Sequence, residues 1–453
     1  MSKTIAAIAT PSGEGGIGVI RISGDNAISV ADKVFSSASN KALKDMDGYT
    51  ALFGKISDSN GKIDEAVALL FRAPKSYTGE DVVEISVHGG EFVLKKALRS
   101  VLESGAVLAE RGEFTRRAFE NGKLDLSQAE AVVDIIAADS EQSLRASIAA
   151  KSGAVSRKCA EIKENLVFAA ATIAAFSDYP DEEPEFSGID RLENMLCDAE
   201  NNLSQLCADY DTGRIIRHGI NTVIVGPPNA GKSTLMNLLS GCERSIVTPI
   251  AGTTRDIIEE TVRLDGLVLR LSDTAGLRDT EATVEQIGVR LTRQRIASAD
   301  LIIAVVDGAD AARPEAVELY KAIQHRPAVV VFNKSDICSA DRSFAEGFGL
   351  NCTEMSAKDG TGLEEFTALV KKVTGTANLT GDSSVFLNER QRDCAARALH
   401  CVTEALAALR GGMTVDAVGV CIDDALSALM ELTGERVTVE VVDKVFEKFC
   451  VGK

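Results

Sequence analysis

The stretch GPPNAGKS, Gly226–Ser233, constrains this chain more than any other feature. Glycines at both ends let backbone N–H groups close around phosphate oxygens. Lys232 supplies a point charge for the β- and γ-phosphates, and the Ser233 hydroxyl can ligate Mg²⁺. The flanks fit a strand–loop–helix unit: NTVIV (Asn221–Val225) reads as a buried strand and STLMNLLSG (Ser233–Gly241) as a helix. Such a pattern alone arises by chance in roughly one chain in fifty of this length. The motifs AGTTRD (Ala251–Asp256), DTAG (Asp273–Gly276), NKSD (Asn333–Asp336) and SAK (Ser356–Lys358) follow in order and at the expected spacing, which removes chance as an explanation. Together they predict a doubly wound α/β domain that binds and hydrolyses a guanine nucleotide.

Each piece has its chemistry. Within the loop, Asn229, Ala230, Gly231, Lys232, Ser233 and Thr234 surround the phosphates. Asp273 ends an apolar strand, Leu267–Leu271, and reaches the Mg²⁺ shell from its second side. Thr274 and Ala275 lead to Gly276, whose N–H faces the γ-phosphate. Asp336 selects the base, because one carboxylate accepts both N–H donors of guanine's Watson–Crick edge and adenine offers no such pair. Asn333, Lys334 and Ser335 buttress that pocket, and Ser356, Ala357 and Lys358 approach the guanine carbonyl by backbone. Leu277 follows DTAG where small signalling GTPases carry a water-orienting Gln, so another group must position the water. Glu285, in RDTEATVEQIG, is the nearest attractive carboxylate, and it reads equally well as a solvated helix-start glutamate. Asn229 lies where an amide oxygen could help hold a monovalent cation. No arginine finger is evident in the motifs, although Arg255 and Arg278 lie close by.

A length of 453 residues suggests about three domains. No apolar run approaches the roughly 18 residues of a membrane span, and MSKTIAAIATPSGEGG has no signal character, so a cytoplasmic protein is expected. The 10 cysteines form no CxxC pair, which argues against a zinc site or a disulfide framework. His88, His218, His325 and His400 are far apart and read as structural. A net charge of −18 disfavours tight direct binding of nucleic acid. Residues 1–118 alternate short strands and helices and read as α+β. The glycines of SGEGGIG precede VIRIS, which alternates like a strand, so a dinucleotide fingerprint is rejected there. Residues 119–216 read as helical: Leu192, Leu196, Leu203, Leu206 and Tyr210 mark one apolar face, and the acidic DYPDEEPEF breaks the run. The nucleotide domain is expected over 217–376, and helical pattern resumes over 377–453. The residues themselves leave open whether the two helical stretches form one bundle or two.

TPSGEGGIGVIRISG, YTGEDVVEISVHGG, RGEFTRRAFENGKLDLSQAEAV, the nucleotide motifs and the closing CVGK resemble the bacterial tRNA-modifying GTPase family MnmE (TrmE) along essentially the whole chain. The resemblance implies an N-terminal α+β folate-binding domain that holds a homodimer, a central helical bundle, and a GTPase domain inserted into that bundle. It implies a potassium-activated GTPase acting on the wobble uridine of certain tRNAs. An FAD-containing partner, MnmG, helps install a 5-carboxymethylaminomethyl group from a tetrahydrofolate one-carbon unit. Its nucleotide contacts also cover Thr248, Pro249, Ile250, Ala251, Gly252, Thr253 and Thr254. By motif, K⁺ falls to Asn229, Thr248, Ile250 and Thr253, and Mg²⁺ to Ser233 and Thr254. Glu285 orients the attacking water, and GTPase domains pair across the active dimer. Folate contacts fall to Arg21, Glu84, Lys123 and Lys453; read without the resemblance, each is an ordinary surface charge. Cys450 has no histidine near it in sequence and reads as inert. Two other classes compare less well. A ribosome-assembly GTPase of the Era/Der type would carry a KH-type domain with a GxxG loop, which is not found after the nucleotide motifs. A switch with no chemistry beyond hydrolysis leaves the N-terminal region unexplained.

Overall fold

Alternation of apolar and polar residues builds the N-terminal sheet. In β2 (Gly15–Ser23), Ile20 and Ile22 turn inward and are fully buried, so Arg21 between them faces the other way. The structure is a computed structural model and describes residues 3–11, 13–178, 186–208, 210, 213–215, 219–242, 259–272, 296, 299–376 and 388–453. β2 joins β1 (Ile5–Ile8), β3 (Phe35–Ser37), β4 (Thr50–Asp58), β5 (Gly61–Phe71), β6 (Val82–Gly89) and β7 (Val107–Leu108) in the order β3-β4-β5-β6-β2-β1-β7. Neighbours are antiparallel except β1 and β7, which run parallel. The helices α1 (Ala27–Val34) and α2 (Glu91–Glu103) cover the inner face, packing Val30, Val34, Leu94 and Val101 against Ile20, Ile56, Leu70 and Ile85. The glycines of SGEGGIG run into β2 as the alternation predicts, and the strand begins earlier than VIRIS alone suggests.

Helix begins before residue 119, where the helical stretch is expected to start: α3 (Glu113–Glu120) buries Phe114, Thr115 and Ala118 along one side. Then follow α4 (Leu126–Ala137), α5 (Glu141–Lys151), α6 (Ala154–Asp178) and α7 (Phe186–Ala208). On α7, Leu192, Leu196, Leu203 and Leu206 are all buried, the face that their spacing marks.

The P-loop, NKSD and SAK motifs sit on a second sheet, made of β8 (Ile220–Val225), β9 (Glu259–Leu264), β10 (Leu267–Ser272), β11 (Leu301–Asp307), β12 (Ala328–Asn333) and β13 (Asn351–Met355). Its order is β13-β12-β11-β8-β10-β9, parallel except for the β9–β10 hairpin. The near-continuous apolar runs LIIAVV and AVVVF explain this, since a strand buried on both faces has no polar side. The helices are α8 (Lys232–Cys242), α9 (Pro314–Ile323), α10 (Ser343–Glu346) and α11 (Leu363–Val373). After them come α12 (Glu389–Arg410), α13 (Val415–Thr433) and α14 (Val439–Phe446).

The chain divides into two compact units. One comprises residues 1–136, 150–203 and 393–453; the other comprises 137–149 and 204–392, wider than the stretch expected for the nucleotide domain. Within the first unit, α12 is tied to α7 by Arg410–Glu193 at 2.7 Å and Thr403–Glu200 at 2.8 Å. Gly419 of α13 lets that helix approach Ile173 of α6. Phe446 and Phe449 pack with Leu126, Ala129 and Val132, which joins the C-terminal segment to α4. No helix among the described residues is long and apolar enough to cross a membrane.

Leu203→Ala removes a fully buried side chain from the α7 face, and its expected cost is about 2–5 kcal/mol. Urea unfolding monitored on the full chain should show the midpoint fall with the slope unchanged.

Candidate functional site

In an open parallel sheet, ligands bind beyond the carboxyl ends of the strands, where the order of strands reverses. Here β8 has β10 on one side and β11 on the other. The P-loop leaves β8 at that point, and the ends of β11, β12 and β13 present Asp307, Asn333 and Ser356 along the same edge. Asn333 is 3% exposed, and its amide serves two loops. Its Nδ2 donates to the Ala230 carbonyl at 2.9 Å, and its Oδ1 accepts the Ala357 N–H at 2.9 Å. Gly231, with φ 96°, lies so close that a Cβ there would stand 2.0 Å from Asn333 Nδ2. The motif therefore requires glycine at this position for two reasons, backbone conformation and lack of space.

Lys232 is half-buried, and its ammonium donates to the carbonyls of Gly226 (3.0 Å) and Pro227 (2.8 Å). Burial lowers its pKa below the usual lysine range. Ser233 and Thr234 are exposed at the first turn of α8, and Asn229 is exposed with a left-handed φ of 60°. Their side-chain oxygens are of the kind that Mg²⁺ or K⁺ takes as ligands. Lys334 also adopts a positive φ, 66°, and its Nζ donates to Asp307 Oδ2 at 2.7 Å. That hydrogen bond raises the Lys334 pKa. Burial pushes Asp307 up, but the bonds from Lys334 and the Ala309 N–H outweigh it and leave the carboxylate below its ordinary range. Ser335 N–H donates to the Met355 carbonyl at 3.2 Å. Ser356 is fixed by its bridge to Thr361 and by Ser356 Oγ donating to Asp359 at 3.1 Å. Asp336 and Lys358 are exposed at the mouth. Thr248, Pro249, Ile250, Ala251, Gly252, Thr253, Thr254, Asp273, Thr274, Ala275, Gly276 and Glu285 lie outside the described residues.

A second polar site lies in the other unit. Arg21 on β2 pairs in register with Glu84 on β6, and Arg21 Nε donates to Glu84 Oε1 at 2.8 Å. The guanidinium carbon stands 5.6 Å from the ring centres of both Tyr77 and Phe114. The C-terminal segment closes over this pair. Gly112 N–H donates to the Cys450 carbonyl (3.3 Å), Phe114 N–H to the Lys453 carbonyl (3.2 Å), and Arg21 Nη1 to the Gly452 carbonyl (3.3 Å). Gly452 has φ 96°, and a Cβ there would meet the Ile8 carbonyl at 2.3 Å, so the VGK segment fits only with glycine. Lys453 is half-buried, and its ammonium has no ion-pair partner among the described residues. Burial, then Arg21 and Lys151, lowers its pKa, opposed by Glu84. Lys123 is exposed, and its Nζ donates to the Pro74 carbonyl at 3.1 Å. Cys450 is exposed and contributes its carbonyl.

Sequence reasoning missed Asp307, Tyr77 and Phe114. Asp307 has a signal, an acid ending an apolar strand one step before the NKSD strand; the two aromatics have none, because they converge on Arg21 only through the fold.

The parallel sheet, its P-loop and the base-reading loops at one edge define a P-loop GTPase. The comparisons make this particular. Residues 4–123 match the family model described as GTP-binding protein TrmE N-terminus, and residues 126–450 match that described as MnmE helical domain. The chain is 38% identical over 457 residues to the tRNA modification GTPase MnmE of Clostridioides difficile, and 40% identical over 456 residues to that of Lachnoclostridium phytofermentans; each comparison covers 100% of both chains. Among solved structures, Aquifex aeolicus Era bound to GDP and AlF4⁻ is 26% identical with a TM-score of 0.27, over 40% of this chain and 66% of that one. The chain belongs to the MnmE (TrmE) family of tRNA modification GTPases.

Asn333→Ala breaks both bonds of the buried amide and leaves the Ala357 N–H and the Ala230 carbonyl unpaired. Titration with a fluorescent GTP analogue should show affinity fall by about tenfold or more, the effect of leaving one to two buried groups unsatisfied.

Proposed function

We propose that this GTPase modifies C5 of the wobble uridine of certain tRNAs with a carboxymethylaminomethyl group, using a tetrahydrofolate-borne one-carbon unit and an FAD-containing partner of the MnmG kind. The observation that carries the folate part is Lys453. A half-buried ammonium without an ion-pair partner among the described residues, beside a neutralised Arg21–Glu84 pair, suits an anionic ligand such as the folate glutamate tail. Glu84 suits the donors of the pterin ring, and the half-buried Tyr77 ring beside Arg21 supplies apolar surface. Lys123, an exposed cation held by the Pro74 carbonyl, would add a further charge for the anionic end of the ligand.

On the nucleotide side, Asn229 with Thr248, Ile250 and Thr253 would hold K⁺, and Ser233 with Thr254 would hold Mg²⁺. Bound there, these cations offset negative charge on the phosphates. Lys232, whose ammonium donates to the Gly226 and Pro227 carbonyls within the loop, would meet the β- and γ-phosphates. Asp336 reads guanine, and Asn333 keeps its loop in register with the P-loop. Glu285 would orient the attacking water in place of the residue that Leu277 replaces.

The division into units supports reading the GTPase domain as inserted in the helical bundle, because 150–203 and 393–453, on either side of it in sequence, share one unit. A homodimer held by the N-terminal domains, with GTPase domains pairing in the active state, completes the reading. A net charge of −18 favours a partner that carries much of the tRNA affinity.

Calorimetric titration with 5-formyltetrahydrofolate should show binding that Lys453→Ala weakens by about tenfold or more, the value of a lost charge-assisted contact; GTP turnover should stay at the parent level. Absence of binding to the intact protein would sink the folate reading. An anion raises the lowered Lys453 pKa, so binding takes up protons. Affinity is therefore full below that lowered pKa and falls as pH rises through it, measurable by titration in buffers of different ionisation enthalpy. GTP turnover in K⁺ should exceed that in Na⁺, and equal rates would exclude the cation assignment.

A further inference from the structure

The compact unit that contains the nucleotide site includes a short borrowed piece, residues 137–149, from the helical stretch between residues 136 and 150 of the other unit. This piece lies against the β9–β10 hairpin. The hairpin joins the AGTTRD segment, which ends at Asp256, to DTAG, which begins at Asp273 directly after β10. Its turn, Asp265–Gly266, has φ values of 45° and 84°. On one side Lys371 of α11 pairs with Asp265 at 2.5 Å. On the other, Gln142 of α5 closes on Gly266, with Nε2 at 3.2 Å from where a Cβ would stand. Further along β10, Arg270 approaches Asp139 Oδ2 at only 3.8 Å, and Asp139 Oδ1 is buried with no hydrogen-bond partner among the described residues.

A buried carboxylate oxygen without a partner costs free energy, and an arginine 3.8 Å away is near enough to relieve it by a small shift. The turn is clasped at its tip, but the Arg270–Asp139 contact two strand positions before Ser272 is left incomplete. Ser140 caps the entry to α5, accepting from Ser143 N–H at 3.1 Å and Leu144 N–H at 2.9 Å, which fixes the backbone directly after Asp139.

We propose that Asp139 and Gln142 are positioning residues that couple the hairpin to the helical stretch: the Arg270–Asp139 pair tightens in one nucleotide state and loosens in the other, displacing 137–149 with β10. The inference rests on the reading of AGTTRD and DTAG as nucleotide-responsive segments. It adds the route by which β10 acts on chain crossings at 136–137 and 149–150. No contact with nucleotide is required of either residue.

The test is hydrogen–deuterium exchange on the full chain with bound GDP and with a non-hydrolysable GTP analogue. Exchange over 137–149 should differ between the two states by about threefold or more, the scale of a modest change in local opening. Asp139→Ala should abolish that difference while α8, residues 232–242, keeps its own nucleotide response. Exchanging the charges, Asp139→Arg with Arg270→Asp, should restore it. Gln142→Ala, which leaves the charges in place, should reduce the difference without abolishing it. Equal exchange over 137–149 in the two states of the parent, with α8 responding, would overturn the proposal alone. A response of neither segment would overturn the nucleotide-switch reading along with it. A difference that survives unchanged in Asp139→Ala would show the pair to be structural only.

Discussion

A single buried amide organises the nucleotide unit. Asn333 stands at the end of β12, where parallel register brings it level with the ends of β11 and β13, and its two ends bind loops from different strands. An amide is suited to this because it donates at one end and accepts at the other. The P-loop and the SAK loop are thereby set at one separation before any nucleotide arrives. The loops assigned to phosphate and to base are thus presented together, so one ligand can engage both.

The first unit reaches preorganisation differently. Arg21 is spent on Glu84 and stacked near two rings, so its charge fixes geometry more than it attracts ligand. Lys453 carries the uncompensated charge beside it. Burial of that ammonium, with Arg21 and Lys151 near it, lowers its pKa against the opposing effect of Glu84. Lysine and arginine thus gather locally in a chain whose net charge is −18.

Much of this was legible in the sequence. Glycine, lysine and serine spacing in GPPNAGKS states its chemistry because phosphate binding demands backbone contacts, and those depend on residues adjacent in sequence. The apolar face of α7 was equally plain, since helical periodicity is local. The Arg21 site was legible only through family resemblance: its members come from β2, β6, α3 and the C-terminal segment, and no spacing rule links them. Lys123 likewise owes its setting to the fold, since its ammonium donates to the Pro74 carbonyl, 49 positions away. The early start of α3 escaped notice because RGEFTRRAFENG is rich in charge, and its buried side is visible only once Phe446 and Phe449 stand near it.

The bond from Arg21 to the Gly452 carbonyl spans 431 positions of sequence. Closing so long a loop in an unstructured chain costs about 5 kcal/mol of chain entropy. Residues 204–392 form part of a compact unit of their own, and their folding removes 189 positions from that loop, yet the logarithmic dependence makes this worth only about 0.5 kcal/mol. The cost of joining the two ends therefore falls on the contacts of the first unit itself. The Arg21 site exists only where both ends of the chain have met, so its assembly reports that this unit has closed.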